Sequence, residues 1–198
     1  MWKDAKTVVV ENHRGMGLVY FDYVLEFCDF NTFVGDVKLC DGKFYYEAEV
    51  ITIDDNMQLG FVTEGFQTSE QSNGKGVGDD DHSWGFDGIR QLLWPKKHGC
   101  FGSKWKIGDT LGFACDLVKK SISFSLNGSF KAPNGMVFEK IKAEWLSPGL
   151  SGDGSLVVVN FGDRPFNRAP PDNEYMSVHD ALSSSDSRSN APGKLKLI

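Results

Sequence analysis

With 198 residues, 40% of them apolar, the chain can bury one core and is too short to divide into two. A formal net charge of −6 gives no overall attraction for nucleic acid or an anionic membrane, so neither is expected as a partner. Its 22 glycines and 15 phenylalanines suit short strands and tight turns better than long helices. Cys28, Cys40, Cys100 and Cys115 lack any C-x-x-C spacing, which argues against a zinc knuckle or a dithiol redox pair. A core of this size has no need of disulfides, and thiols are expected. Met1-Trp2-Lys3-Asp4 leads into polar sequence rather than an apolar run, so no signal peptide or membrane span is read and a cytoplasmic location is expected.

Along the chain, residues 7–10 and 18–21 are strand-like runs that come first. Phe44-Tyr45-Tyr46-Glu47-Ala48-Glu49-Val50 alternates, which places Phe44, Tyr46, Ala48 and Val50 on one face and turns Glu47 and Glu49 toward solvent. Its expected hairpin partner is the run 58–63, beyond Asp54-Asp55-Asn56. Ser83-Trp84-Gly85-Phe86 and Gln91-Leu92-Leu93-Trp94 flank Asp87-Gly88, another hairpin signal. Leu111, Phe113 and Cys115 alternate in one strand, and Ile122, Phe124 and Leu126 in the next. Asn127-Gly128 then marks a type I′ reversal, because both central residues of that turn need positive φ. Val137, Ile141 and Trp145 are spaced i, i+4, i+8 and predict a short helical turn. Runs at 146–151 and 155–161 flank Gly152-Asp153-Gly154 in the manner of a hairpin. From about Ser183 the sequence is Ser-rich and polar, and a disordered tail is expected. Turn signals at this spacing, with no long helical pattern between strands, predict an all-β antiparallel sandwich of two sheets.

Catalytic and ligand chemistry finds little support. Gly149-Leu150-Ser151-Gly152-Asp153 fails the nucleophile-elbow pattern at its last position, and His13, His82, His98 and His179 have no ligand spacing. Asp79-Asp80-Asp81 departs from a calcium loop, because Ser83 and Trp84 occupy its fifth and sixth places. A solvated turn is the plainer reading. Gly74-Lys75-Gly76-Val77-Gly78 lacks the G-K-[ST] ending of a phosphate loop. Glu47 and Glu49, on one strand, are poorly placed to flank a substrate as a glycosidase pair. Trp84, Trp94, Trp105 and Trp145 are read first as core. No catalytic residue, metal or cofactor is expected.

Several blocks, in order, resemble the SPRY family. Gly42-Lys43-Phe44-Tyr45-Tyr46-Glu47 and Gln58-Leu59-Gly60-Phe61-Val62-Thr63 look like its opening strands. Gly76-Val77-Gly78-Asp79-Asp80-Asp81-His82-Ser83-Trp84-Gly85-Phe86-Asp87-Gly88 is similar to its glycine-acidic loop and S-W-x-[FY]-D-G strand. Gly108-Asp109-Thr110-Leu111-Gly112-Phe113-Ala114-Cys115-Asp116-Leu117 follows, then Ile122 to Gly128, with Asn160-Phe161-Gly162-Asp163-Arg164-Pro165-Phe166 at the exit. Two departures stand out: the residues before Gly35 do not match a PRY extension, and Pro95 follows Trp94 where His or Tyr is commoner.

The resemblance implies a bent, concanavalin-like sandwich over 35–171, with an N-terminal extension of edge strands over 1–34 and a C-terminal extension over 172–198. It implies a non-catalytic module that binds a protein or peptide, of the kind found in ubiquitin ligases, adaptors and ryanodine receptors, monomeric as an isolated domain. Carried over from adaptor relatives, the partner-binding loops fall on Gln71, Ser72, Asn73, Gly74 and Lys75, and on Gly152, Asp153 and Gly154, with Trp94 as an apolar wall at the same rim. Two other readings stay open: a lectin-like or calcium-binding sandwich using Glu47 and Glu49 or the aspartates at 79–81, and a purely structural domain of a giant protein.

Overall fold

Alternating side chains and glycine-bearing turns produce two stacked sheets in the computed structural model, which describes residues 8–11, 16–20, 24–28, 30–54, 56–67, 75–95, 100–185 and 195–197. The strands are β1 (Val8–Glu11), β2 (Met16–Tyr20), β3 (Val24–Phe27), β4 (Asn31–Gly35), β5 (Lys43–Thr52), β6 (Met57–Val62), β7 (Ser83–Asp87) and β8 (Leu92–Trp94). There follow β9 (Thr110–Asp116), β10 (Ser121–Leu126), β11 (Gly135–Glu139), β12 (Ser147–Gly152), β13 (Leu156–Asn160), β14 (Met176–Ser177), helix α1 (Val178–Ser185) and β15 (Leu195–Leu197). The longer sheet runs β1-β2-β3-β13-β5-β9-β10-β11, and the shorter runs β15-β4-β12-β6-β7-β8. Pairing is antiparallel throughout, except that β14 lies parallel to the start of β5.

Aromatic rings join the two layers. Tyr46 of β5 stacks on Phe113 of β9 at 4.7 Å and meets Phe61 of β6 edge-on at 5.5 Å. Phe86 of β7 reaches Phe124 of β10 at 5.7 Å. The Tyr46 hydroxyl donates to the carbonyl of Gly60, 2.6 Å away, so even the polar atom of this core ring is satisfied across the interface. Trp84 and Trp105 are buried as expected, and Cys115 lies fully within the core.

The β9–β10 hairpin forms in the expected register, Phe113 opposite Phe124. Asn127 and Gly128 take φ of 52° and 82°. Four local expectations need correction. First, β5 and β6 do not pair: the link between them carries the chain from one sheet to the other, and β5 pairs with β13 and β9. Second, Gly152-Asp153-Gly154 likewise carries the chain from β12 in the shorter sheet to β13 in the longer one. Third, the stretch read as helical is not a helix: Val137 lies in strand β11, and Ile141 and Trp145 lie in the irregular segment after it. A register shift opposite Ile122 and Ser123 leaves Val137 as the extra residue, so Val137 and Phe138 are both buried and the two-residue alternation of a strand is lost there. Fourth, the positive φ in the β7–β8 turn falls on Gln91 rather than Gly88. Gly88 is needed for space, since a Cβ there would stand 2.0 Å from the Trp105 indole nitrogen.

Glu47 also departs from expectation, being 1% exposed. The face of β5 turned away from the sandwich is covered by the segment after β13, where Phe166 meets the Tyr45 ring at 4.8 Å. Glu47 accepts the backbone N–H groups of Asn167 (2.8 Å) and Arg168 (2.6 Å), and the Tyr45 hydroxyl donates to it at 3.1 Å. Burial pushes its carboxyl pKa up in spite of these donors. Ser177 then caps α1 by accepting from the Asp180 N–H. The helix continues to Ser185, and Leu195–Leu197 add to the edge of β4 with Leu197 opposite Phe33, where the composition of the tail predicts disorder.

Candidate protein-interaction cleft

The acidic loop before β7 is held by its own aspartates. Asp79 accepts from the Gly76 N–H at 2.8 Å and from the side-chain amide of Gln58 at 3.1 Å. Asp80 accepts from the His82 N–H (2.9 Å) and the Ser83 hydroxyl (2.6 Å), and that hydroxyl accepts from the Gly78 N–H. Gly78 has φ +100°, and a Cβ on it would come 2.1 Å from the Cβ of Trp94, so glycine lets the loop lie against that residue. A Cβ on Gly76 would meet Gln58 at 2.2 Å and Phe30 at 2.8 Å, which brings the same loop against both. The aspartates organise a turn, and no group of His, Cys, Asp and Glu able to hold a metal occurs among the described residues.

The adjoining wall comes from the β7–β8 turn. Asp87, fully buried, accepts from the N–H groups of Ile89 (3.0 Å) and Arg90 (2.8 Å) and pairs with the Arg90 guanidinium. Burial raises its carboxyl pKa while these donors pull the other way. Held so, the Arg90 guanidinium lies 5.5 Å from the centre of the Trp94 ring. The indole N–H of Trp94 is buried and meets no acceptor among the described residues. A third segment completes the site: the Asp153 N–H donates to the Asn56 carbonyl at 2.9 Å, tying the turn after β12 to the link after β5.

These segments enclose a cleft of about 340 Å³ with Phe30 and Trp94 as aromatic walls and Asn56, Gln58, Asp79, Asp153 and Arg90 as polar ones. Of the residues singled out from the sequence, Trp94 and Asp153 line it together. Gly154 is exposed on the same turn at φ +61°, and Lys75 is exposed beside Gly76. Gly152 is buried, its Cα side facing the Phe27 ring, and presents no surface. Gln71, Ser72, Asn73 and Gly74 lie outside the described residues. Phe30, Asn56, Gln58 and Arg90 were not singled out as binding residues, and Asp79 was singled out only as a calcium ligand. Only Gln58 carried a local hint, as an amide in an otherwise apolar strand. Glu47, the alternative catalytic residue, sits beneath residues 167–168 and away from this cleft.

The family model for the SPRY domain matches residues 43–164, well over half of the chain. The chain belongs to the SPRY family. Its SPRY region holds every described residue of the cleft except Phe30. Among curated proteins it is similar to the E3 ubiquitin-protein ligase RKP of Arabidopsis thaliana, 35% identical over 132 residues, which are 63% of this chain and 10% of the relative. The chain thus spans about a tenth of that ligase's length. Among solved structures it is similar to the SPRY domain of human HERC1, with a TM-score of 0.59 and 16% identity, covering 75% of this chain and 94% of the other. At that identity the likeness speaks for the sandwich alone. No helix among the described residues is long and apolar enough to cross a membrane.

Proposed function

We propose that this SPRY domain is a non-catalytic module that receives a peptide or protein segment in the cleft between the acidic loop, Trp94 and the Asp153 turn. It works as one part of a larger intracellular protein in a ubiquitin-ligase setting, and is monomeric on its own. The observation that carries the reading is the convergence of Trp94 and Asp153, which lie far apart in the sequence, on one concave site whose walls are fixed by hydrogen bonds. Rigid walls bind without an ordering penalty, and a half-buried tryptophan is a common anchor at interfaces. The ligase named among the relatives has the chain's likeness over one small portion, which suits a recognition part whose chemistry resides elsewhere.

The test begins with capture from the source cell and mass-spectrometric identification. The purified partner is then bound to wild type, Asp153→Ala and Trp94→Phe. Both variants should bind at least about tenfold more weakly, while Asp153→Ala keeps its melting temperature within a few degrees, as expected for a surface change. Unchanged affinity in both places the interaction on another face.

A further inference from the structure

Two carboxamides line the cleft, and only one of them is spent on the fold. Met57 and Leu59 of β6 are fully buried in the core, so Asn56 and Gln58 alternate onto the opposite face of the shorter sheet, where the cleft lies. Gln58 is 2% exposed: its amide donates to Asp79 at 3.1 Å, and its Oε1 lies where a Cβ on Gly76 would meet it at 2.2 Å. Asn56 is half-buried, and its carboxamide has no hydrogen-bond partner among the described residues. Its backbone is fixed nonetheless. The Asn56 carbonyl accepts the Asp153 N–H at 2.9 Å, and the next residue, Met57, stands opposite Gly152 at the end of the β6–β12 ladder.

Resting on the reading that this cleft receives the partner, we infer that Asn56 is the residue that reads the partner's main chain: its carboxamide pairs with the N–H and C=O of one residue in an extended segment, and a neighbouring side chain of that segment lies against Trp94 and Phe30. A carboxamide carries a donor and an acceptor on adjacent atoms, and in an extended chain the N–H and C=O of a single residue point to the same side, so the two match donor to acceptor. Successive side chains leave that edge toward opposite faces, so one meets the aromatic walls while the next points away. An apolar side chain seated on Asn56 would remove its hydration and return no hydrogen bond. A charged side chain would use one half of the carboxamide and leave the other unmatched. Main-chain groups are common to all residues, so Asn56 sets the conformation and register of the segment while the aromatic walls select its side chain.

Random dodecapeptides displayed on phage and selected on the 198-residue chain provide the probe. The strongest is resynthesised in two series, one with each amide N–H in turn replaced by an ester oxygen and one with each side chain in turn cut to alanine. Both series are titrated against wild type, Asn56→Ala and Trp94→Ala. We expect one ester position at which wild type loses about fivefold or more in affinity and Asn56→Ala loses less than about twofold, since one net hydrogen bond is at stake and the cycle isolates it. Asn56→Leu, which keeps the volume, repeats the cycle should Asn56→Ala not fold. A peptide that needs Trp94 yet has no ester position coupled to Asn56 overturns the main-chain assignment and leaves the cleft reading standing. Coupling of Asn56 to an alanine position instead gives the carboxamide to a side chain of the partner and overturns the assignment equally. Peptides that bind Trp94→Ala as well as wild type, or a selection that enriches nothing, overturn the cleft reading and this inference with it.

Discussion

Removing the Glu47 carboxylate tests how the outer face of the longer sheet is held. In Glu47→Ala the N–H groups of Asn167 and Arg168 and the hydroxyl of Tyr45 lose their acceptor. A buried donor left unmatched costs roughly 1–3 kcal/mol, so the two N–H groups alone set a scale of about 2–6 kcal/mol. Two effects reduce it. Asn167 and Arg168 are exposed, so their segment can swing out to water at the expense of the Phe166–Tyr45 contact, and deletion removes a carboxylate whose burial is itself unfavourable. A net loss of about 2–3 kcal/mol is expected from urea unfolding near neutral pH, with new protease cleavage between residues 162 and 170. A change below about 0.5 kcal/mol would refute the reasoning, because it would mean that the clip contributes no more than an ordinary surface residue. The same residue fixes a pH signature. Its folded pKa lies above the ordinary carboxylate value, so its contribution to stability is fully present below that value and is lost as pH rises through the folded one. Asp87 shifts in the same direction. The stability difference between wild type and Glu47→Gln should therefore move against wild type as pH rises through this window, and movement the other way contradicts the assignment.

The remaining predictions are shorter. Gly60→Ala places a Cβ 2.0 Å from the Trp84 carbonyl oxygen, a backbone atom of the paired strand, so it should lose more than about 3 kcal/mol and roughly 10 °C in melting temperature; a normal melting curve would show that β6 and β7 can separate. Cys40 and Cys100 are exposed and should react with a thiol reagent in the native state, whereas Cys115, buried with its thiol pKa pushed up, should react only on unfolding, as followed by intact mass. All four cysteines should alkylate under denaturing, non-reducing conditions. Truncation after Ser185 removes the three-residue pairing of β15 with β4 and should lower stability by no more than about 1 kcal/mol, whereas a collapse of the melting transition would make the tail part of the core.

What the sequence revealed was local. Ile122, Phe124 and Leu126 alternate beside Asn127-Gly128, and those few residues contain both the strand and the reason for its reversal. The ordered SPRY blocks extended that reading to the family. What stayed hidden depends on distant partners. The link at 54–56 is a turn by composition whether it joins neighbours in one sheet or crosses to the other, and the choice is made by β9 and β13 taking both sides of β5. Glu47 looks like a solvent-facing residue until the chain returns 120 positions later to donate two N–H groups. The bulge at Val137 erased the two-residue period by which a strand is recognised. In the cleft, Trp94 and Asp153 were reached by analogy with loop positions. Phe30, Asn56 and Arg90 carry no mark in sequence that separates a wall of a cleft from an ordinary loop residue, because the wall exists only once five segments meet.

The place of β13 in the longer sheet bears on the order in which the chain can fold as it leaves the ribosome. β13 lies between β3 and β5, with Val157 opposite both Leu25 and Val50. Until residues near 160 have been made, β3 has no neighbour on that side, and β1 and β2 pair only with a strand that has nowhere to dock. β4 waits in the same way for β12. Such long-range closures are slow, and nascent chains carrying open edges of β3 and β4 are the form in which this domain is most exposed to strand-to-strand aggregation. Until β13 has been made, β1, β2 and β3 thus have only one another to pair with, and a ribosome stalled before residue 150 holds a chain that lacks the strand joining them to β5.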